Sequence, residues 1–240
     1  MYPPAAMNTQ LWLSEFLREQ LSDAELNWLH TNVKSLEENE LLRRFIPLFS
    51  SLPRFIGRKK AVFSAAQLAL FEARYPGFSN SEWDLQQLCR ISLMLELPVS
   101  KNENALKELF ETADINELRV LYKGLYFLDN APDFTERMAE GVRTNMTDVF
   151  DAIIVQNPFA AKYLSEDAWN QLVMKAVFNG RPLFSIYGLD QRANEKLAKI
   201  LQGYIQERCS AGRTVSPEVW RVIYPFVTDE VATELKRILN

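Results

Sequence analysis

Residues 166–179 read EDAWNQLVMKAVFN, and this stretch decides the class of fold. Set at about 100° per residue, Trp169, Leu172, Val173, Ala176 and Val177 fall into one broad stripe, which is the period of an amphipathic helix and not of a strand. Met174 and Phe178 extend apolar surface to the other side, so the sequence predicts a helix buried on most of its circumference. Asn170 projects between Met174 and Val177, where a buried amide without hydrogen-bond partners costs about 1–3 kcal/mol. It is read either as a structural lock or as a ligand contact. Lys175 lies at the edge of the stripe, near Gln171 and Asn179, and can lay its stem along apolar surface.

The same period recurs outward in both directions. Apolar spacing predicts helices near 9–20, 23–38, 40–50, 64–75, 81–97, 103–112, 115–129, 133–144, 146–156, 166–179, 194–210, 217–226 and 229–239. Start signals agree: Ser22 with Glu25 and Asp114 with Glu117 form capping boxes, and Ser216-Pro217 is a cap followed by proline at the first helical position. Short helices joined by short connections imply an all-α protein. The expected architecture is a stack of antiparallel helical hairpins, a HEAT-like α-solenoid, with a compact helical bundle as the alternative. One domain is expected over residues 1–240, with a possible subdivision at 52–60, where Pro53, Gly57 and three adjacent basic residues stand.

Several function classes are disfavoured by composition. The 240 residues are 48% apolar and carry a formal charge of -4, which gives no overall attraction for nucleic acid. Cys89 and Cys209 are distant from each other and lie in helical patterns, so reduced core thiols are expected and a disulfide framework is not. The N-terminal MYPPAAMNTQ has neither a basic nor an apolar signal region, and no apolar run approaches the ~18 residues of a spanning helix, so a cytoplasmic protein is expected. His30 is the only histidine, which leaves no histidine zinc motif and makes a metal centre unexpected. No glycine-rich phosphate loop can be written, Asp148 and Asp151 stand without adjacent aspartates, and no cofactor is implied.

Two connections carry polar residues. In EGVRTNMTDVF (140–150), Arg143, Asn145 and Asp148 sit at a helix junction, with Asn145 read as the cap and Asp148 as the third position. In YGLDQRANEKL (187–197), a turn precedes a helix capped by Asp190 or Asn194. That helix is expected to face the core with Leu197, Ile200, Leu201, Tyr204 and Arg208, with Gly203 admitting a close neighbour.

Taken in order, ETADINELRVLY (111–122), EGVRTNMTDVFDAI (140–153), QNPFA (156–160), AWNQLVMKAVF (168–178), GLDQRAN (188–194) and ERCSAGRTVSPEVWR (207–221) resemble the EboA family of the bacterial ebo gene cluster. The likeness is dense from Glu111 to Phe226, thin before Trp83, and departs from the family at Cys209, where an aromatic is expected. It implies a cytosolic protein acting with other ebo-cluster proteins, which look like a prenyltransferase, a sugar-phosphate-type cyclase and metal-dependent hydrolases. In cyanobacteria that cluster is tied to export of a secondary-metabolite precursor. The family supplies no established catalytic residue. Its motif positions make Arg143, Asn145, Asp148, Asn157, Trp169, Asn170, Lys175, Asp190, Arg192, Arg213 and Trp220 candidate contacts for a ligand or partner.

Two functions of different class follow. One is a non-catalytic adaptor or carrier that binds a partner protein or a hydrophobic metabolite. The other is an enzyme acting on an isoprenoid or aromatic metabolite through Lys175, Arg192 or Asp148. Separately, residues 41–71 hold no acidic side chain but carry Arg43, Arg44, Arg54, Arg58, Lys59 and Lys60, a local +6 that leaves -10 for the rest of the chain. Phe45, Phe49, Phe55 and Phe63 interleave with them. The stretch is read either as a solvated face whose phenylalanines turn inward or, through Arg54, Arg58, Lys59 and Lys60, as a peripheral contact with an anionic membrane surface.

Overall fold

Helix starts in this chain are set by residue pairs three apart. In the computed structural model, which describes residues 9–34, 41–228 and 232, both expected capping boxes close. The Glu25 carboxylate accepts from the Ser22 amide at 2.9 Å, and the Asp114 carboxylate accepts from the Glu117 amide at 2.8 Å. Ser64 with Gln67 and Asp84 with Gln87 close two more. Each box satisfies two amides that the first helical turn would otherwise orphan.

The helices are α1 (Thr9–Gln20), α2 (Asp23–Lys34), α3 (Leu41–Ser51), α4 (Ala65–Arg74), α5 (Leu85–Leu95), α6 (Val99–Thr112), α7 (Ile115–Gly124), α8 (Thr135–Val142), α9 (Thr147–Ile154), α10 (Pro158–Tyr163), α11 (Glu166–Phe178), α12 (Leu189–Arg192), α13 (Glu195–Ser210) and α14 (Trp220–Ile223). The protein is all-helical. Among the described residues the only β pairing is two isolated antiparallel bridges, Lys60 with Asp84 and Val155 with Ile186. The expected helix at 229–239 and the end of 23–38 lie outside the described residues. Helix α9 begins at Thr147, so Met146 and not Asn145 precedes its first residue and Asp148 is its second.

The chain divides into two compact units, Met1–Ile153 and Ile154–Asn240. In the first, α1 packs on α5, α5 on α7, and α3 on α6. An aromatic cluster fills the space between them. Phe16 stacks on Phe63 at 4.4 Å, Phe71 on Phe78 at 4.7 Å, Phe78 on Trp83 at 4.7 Å, and Tyr75 on Phe127 at 4.8 Å. Such contacts add about 0.5–1.5 kcal/mol per pair beyond the area they bury. Residues 52–60 are built into this unit: Leu52 and Ile56 are buried, the Leu85 amide donates to the Lys59 carbonyl at 2.9 Å, and Gln86 Nε2 donates to the Ile56 carbonyl at 2.7 Å.

One ion pair is sealed inside the first unit. Arg90 of α5 and Glu117 of α7 meet at 3.4 Å with side chains 4% and 5% exposed. Arg90 Nε also donates to the Phe49 carbonyl of α3 at 3.2 Å, and its guanidinium lies 5.1 Å from the Phe49 ring centre. The Glu117 carboxylate accepts in turn from the Asp114 amide at 2.9 Å. Burial lowers the Arg90 pKa, and the carboxylate of Glu117 opposes that.

A second buried carboxylate anchors α2. Glu25, 8% exposed, accepts from the Gly57 amide at 3.0 Å and from Lys59 Nζ at 3.2 Å in addition to its Ser22 bonds. Burial by itself would raise its pKa, but the hydrogen bonds from Ser22, Gly57 and Lys59 together hold it down at about 2.

In the second unit, Phe159, Trp169, Leu172, Val173, Leu197, Leu201, Ile205, Val222 and Ile223 are buried, and α13 packs on α14. The expected face of α13 is rotated. Its buried stripe is Leu197, Ala198, Leu201 and Ile205, whereas Ile200 is 42% exposed and Tyr204 half-buried. Gly203 consequently stands about opposite Leu201, and a Cβ there would meet nothing within 4 Å, so it serves no close approach. On α11 Trp169, Leu172, Val173 and Ala176 are buried as expected and Val177 is half-buried, but Phe178 is 65% exposed, so the apolar surface does not wrap the whole helix.

Removing one member of the sealed pair leaves an uncompensated buried charge. Glu117→Leu is expected to destabilise the protein by about 3–5 kcal/mol in urea unfolding, while Arg90→Met combined with Glu117→Leu recovers most of that loss. The pKa of Glu25 is lower folded than the ordinary 4.5, so its contribution is complete above about pH 4.5 and is lost as pH falls toward 2. Glu25→Gln is therefore expected to lower stability by about 1.5–3 kcal/mol at pH 7, with the gap to the unsubstituted protein narrowing across that acidic window.

Candidate functional site around Trp169 and Arg192

Helix α10 is too short to persist on its own, since a single turn and a half leaves most of its end groups unpaired. Its start is set by Asn157, 1% exposed, whose side-chain oxygen accepts from the Phe159 amide at 3.0 Å, while Pro158 supplies a first position with no amide to satisfy. Its end is held by Arg192. That guanidinium donates to the Ala161 carbonyl at 2.8 Å and twice to the Leu164 carbonyl at 3.0 Å, and it lies 5.0 Å from the ring centre of fully buried Trp169. Partial burial lowers the Arg192 pKa against the opposing charge of Glu166. Gly188, at φ 75°, gives the turn before α12; a Cβ at that position would come within 2.6 Å of the Ala161 Cβ.

Asn170 is locked. Its Nδ2 donates to Asn194 Oδ1 at 3.2 Å, and Asn194 Nδ2 donates back to Asn170 Oδ1 at 2.8 Å. Asn194 simultaneously caps α13, accepting from the Leu197 amide at 2.9 Å, and donates to the Arg192 carbonyl at 3.1 Å. The strings AWNQLVMKAVF and GLDQRAN thus meet in one knot of side-chain amides and a guanidinium, while Asn157 of QNPFA starts the short helix whose end Arg192 clamps. ERCSAGRTVSPEVWR joins through Arg221, whose Nε donates to Asp190 Oδ1 at 3.1 Å, and through Glu218, which accepts from the Phe184 amide at 3.1 Å.

Other candidates lie elsewhere. Lys175 is half-buried on α11, where burial lowers its pKa. Trp220 is half-buried at the start of α14, and Arg213 is exposed in the turn after α13, its amide donating to the Arg208 carbonyl at 2.9 Å. Arg143, Asn145 and Asp148 are exposed in the first unit. His30 is exposed, Cys89 is buried with its thiol pushed up to about 12 by burial, and Cys209 is half-buried.

Of the basic stretch, Arg54 is exposed, but three neighbours meet carboxylates from outside it: Arg58 with Asp84 at 3.2 Å, Lys59 with Glu25 at 3.2 Å and Lys60 with Glu82 at 3.9 Å. Phe45 and Phe49 are fully buried and Phe63 stacks on Phe16; Phe55 remains 49% exposed while stacking on Trp28 at 4.6 Å. Sequence reading passed over Arg119 and Lys123, which flank this stretch from α7. Their signal was the four-residue spacing of two cations in NELRVLYKG (116–124).

An all-helical protein in which separated strings are tied by buried amides and one arginine clamp is a scaffold first. Its family follows from comparison: the chain belongs to the EboA family, described as metabolite traffic protein EboA, whose pattern covers residues 9–224. No curated protein and no solved structure matches the chain.

Because the amide pair is reciprocal, Asn170→Leu leaves Asn194 with unmet polar atoms. It is expected to lower stability by about 1–3 kcal/mol, a larger fall in melting temperature than that of Lys175→Ala; equal small losses would contradict the lock.

Proposed function

We propose that this EboA-family protein is a non-catalytic adaptor or carrier in metabolite traffic, binding a partner protein or a hydrophobic metabolite that other proteins of its cluster make or move. The observation that carries the reading is the commitment of the family-like polar residues. Asn157, Asn170 and Arg192 are occupied by capping, amide pairing and clamping, and Asp190 by Arg221, so these side chains support the fold rather than a convergent acid, base or nucleophile set.

An apolar surface is available beside them. Phe178 of α11 and Tyr204 of α13 meet edge to face at 4.8 Å, and Ile200 stands one turn before Tyr204, with Phe178 65% and Ile200 42% exposed. The finer architecture belongs to this proposal as well: a stack of antiparallel hairpins would give a concave binding surface. The packing of α13 on α14 fits a hairpin, whereas α1 on α5 fits the compact bundle that is the alternative. Among the described residues no helix is long and apolar enough to cross a membrane.

The enzyme alternative rests on Lys175 and Asp148, which the knot does not occupy. Metabolite profiling of the host decides between them. On deletion of the gene, a carrier leaves every metabolite mass in place and changes where the metabolite accumulates, and Phe178→Ser with Tyr204→Ser reproduces that change while Lys175→Ala and Asp148→Ala do not. Loss of a product mass, reproduced by Lys175→Ala or Asp148→Ala in folded protein, would overturn the proposal.

A further inference from the structure

The bridge between Lys60 and Asp84 lays two charged stretches side by side. The Ala61 amide donates to the Trp83 carbonyl at 3.0 Å and the Leu85 amide to the Lys59 carbonyl at 2.9 Å, so residues 59–61 face residues 83–85 where α5 begins. A cleft of about 330 Å³ opens there, lined among others by Arg58, Lys60, Trp83, Asp84, Gln87 and Arg119. A second cleft, of about 240 Å³, shares Arg58, Asp84, Gln87 and Arg119 with it.

The charges around the first cleft do not cancel. Arg58 is matched by Asp84, Lys59 by Glu25 and Lys60 by Glu82. Arg119, which lines the cleft, and Lys123, one turn further along α7 and behind the lining, form no ion pair among the described residues; the Lys123 Nζ sits 4.8 Å from the ring centre of Trp83. Like charges at this helical spacing repel. In the second cleft, Asp114 is committed to the N-cap of α7 and Arg90 to Glu117. Two cations are left over, one of them an arginine, whose planar fork suits two oxygens of one phosphate.

We propose that this cleft is a binding site for a phosphate monoester, with Arg119 meeting the anion, Lys123 adding a second positive charge from behind the Trp83 wall, and Arg58 and Lys60 forming its rim. The site lies wholly in the first unit and is independent of the carrier reading drawn from the second. A soluble phosphate monoester and the monoester headgroup of a phosphatidate membrane share this chemistry.

Lys123 itself reports occupancy. Burial first, and Arg119 second, hold its pKa down at about 8, against the opposing charges of Asp84 and Glu82. At pH 8 the unoccupied amine is therefore about half neutral, the form that an amine-reactive reagent modifies. A bound dianion that restores an ordinary lysine pKa lowers the neutral fraction and slows the modification of Lys123 at least about five-fold. The experiment follows Lys123 labelling in the full chain by peptide mass spectrometry, with phenyl phosphate, with phosphatidate vesicles in phosphatidylcholine, and with chloride at equal ionic strength.

Slowing by phenyl phosphate beyond the chloride control supports a soluble ligand, and slowing by phosphatidate vesicles alone supports the membrane headgroup. Arg119→Gln, whose half-exposed side chain holds no ion pair among the described residues, is expected to leave the melting temperature nearly unchanged and to abolish the protection. Labelling that proceeds equally in phosphate, vesicles and chloride overturns the site. So does protection that survives Arg119→Gln.

Discussion

The first unit depends on a charge almost wholly withdrawn from water. Arg90 needs the carboxylate of Glu117 and the carbonyl of Phe49 because an isolated guanidinium in an apolar interior is far more costly than the pair. Those partners stand on α7 and α3, so the requirement of one side chain on α5 fixes the mutual setting of three helices. Glu117 also completes the capping box of α7, which joins the start of that helix to the packing of the whole unit. Aromatic stacking fills the remaining volume but has many near-equivalent arrangements. The ion pair has few, and it selects among them.

In the second unit the corresponding constraint is hydrogen-bonding completeness rather than charge. Asn157, Asn194 and Arg192 each satisfy backbone groups at a helix end, and the Asn170 to Asn194 exchange closes the set. Polar residues inside apolar patterns invite a catalytic reading. Here their partners are the protein's own amides and carbonyls, which is the usual solution for a buried side-chain amide. The side chains this unit leaves outside the set, Phe178 and Ile200, are apolar.

How much was legible in the sequence varied with the range of the interaction. Capping boxes and three-to-four spacing are local, so the long helices were placed from residue patterns alone, whereas the place of Asn170 in an apolar stripe left a lock and a ligand contact open and its pairing with Asn194 is a long-range fact. Helices α10 and α12 were not anticipated because six and four residues are too few to show a period, although Asn157-Pro158 carried a start signal. The face of α13 was misassigned because Ile200 and Tyr204 share the apolar row next to the true one. The pairing of Arg58, Lys59 and Lys60 was not legible at all: their carboxylates come from Glu25, Asp84 and Glu82, and a count of charges within 41–71 could not reveal them. The same blindness hid the converse case, in which Arg119 and Lys123 gain no such partner among the described residues.

The arginine clamp on α10 also orders events in time. Arg192 lies 31 residues beyond the Ala161 carbonyl it holds, and Gly188, which leaves room for Ala161, precedes it by only four. During synthesis, Asn157 and Pro158 emerge with the start of the helix already specified and its end open. The last turn has no donor for its carbonyls until the chain has been extended past α11 and through the Gly188 turn. The segment 158–164 is thus a stretch whose clamp arrives last, and a chain ending before residue 192 would carry it without that clamp.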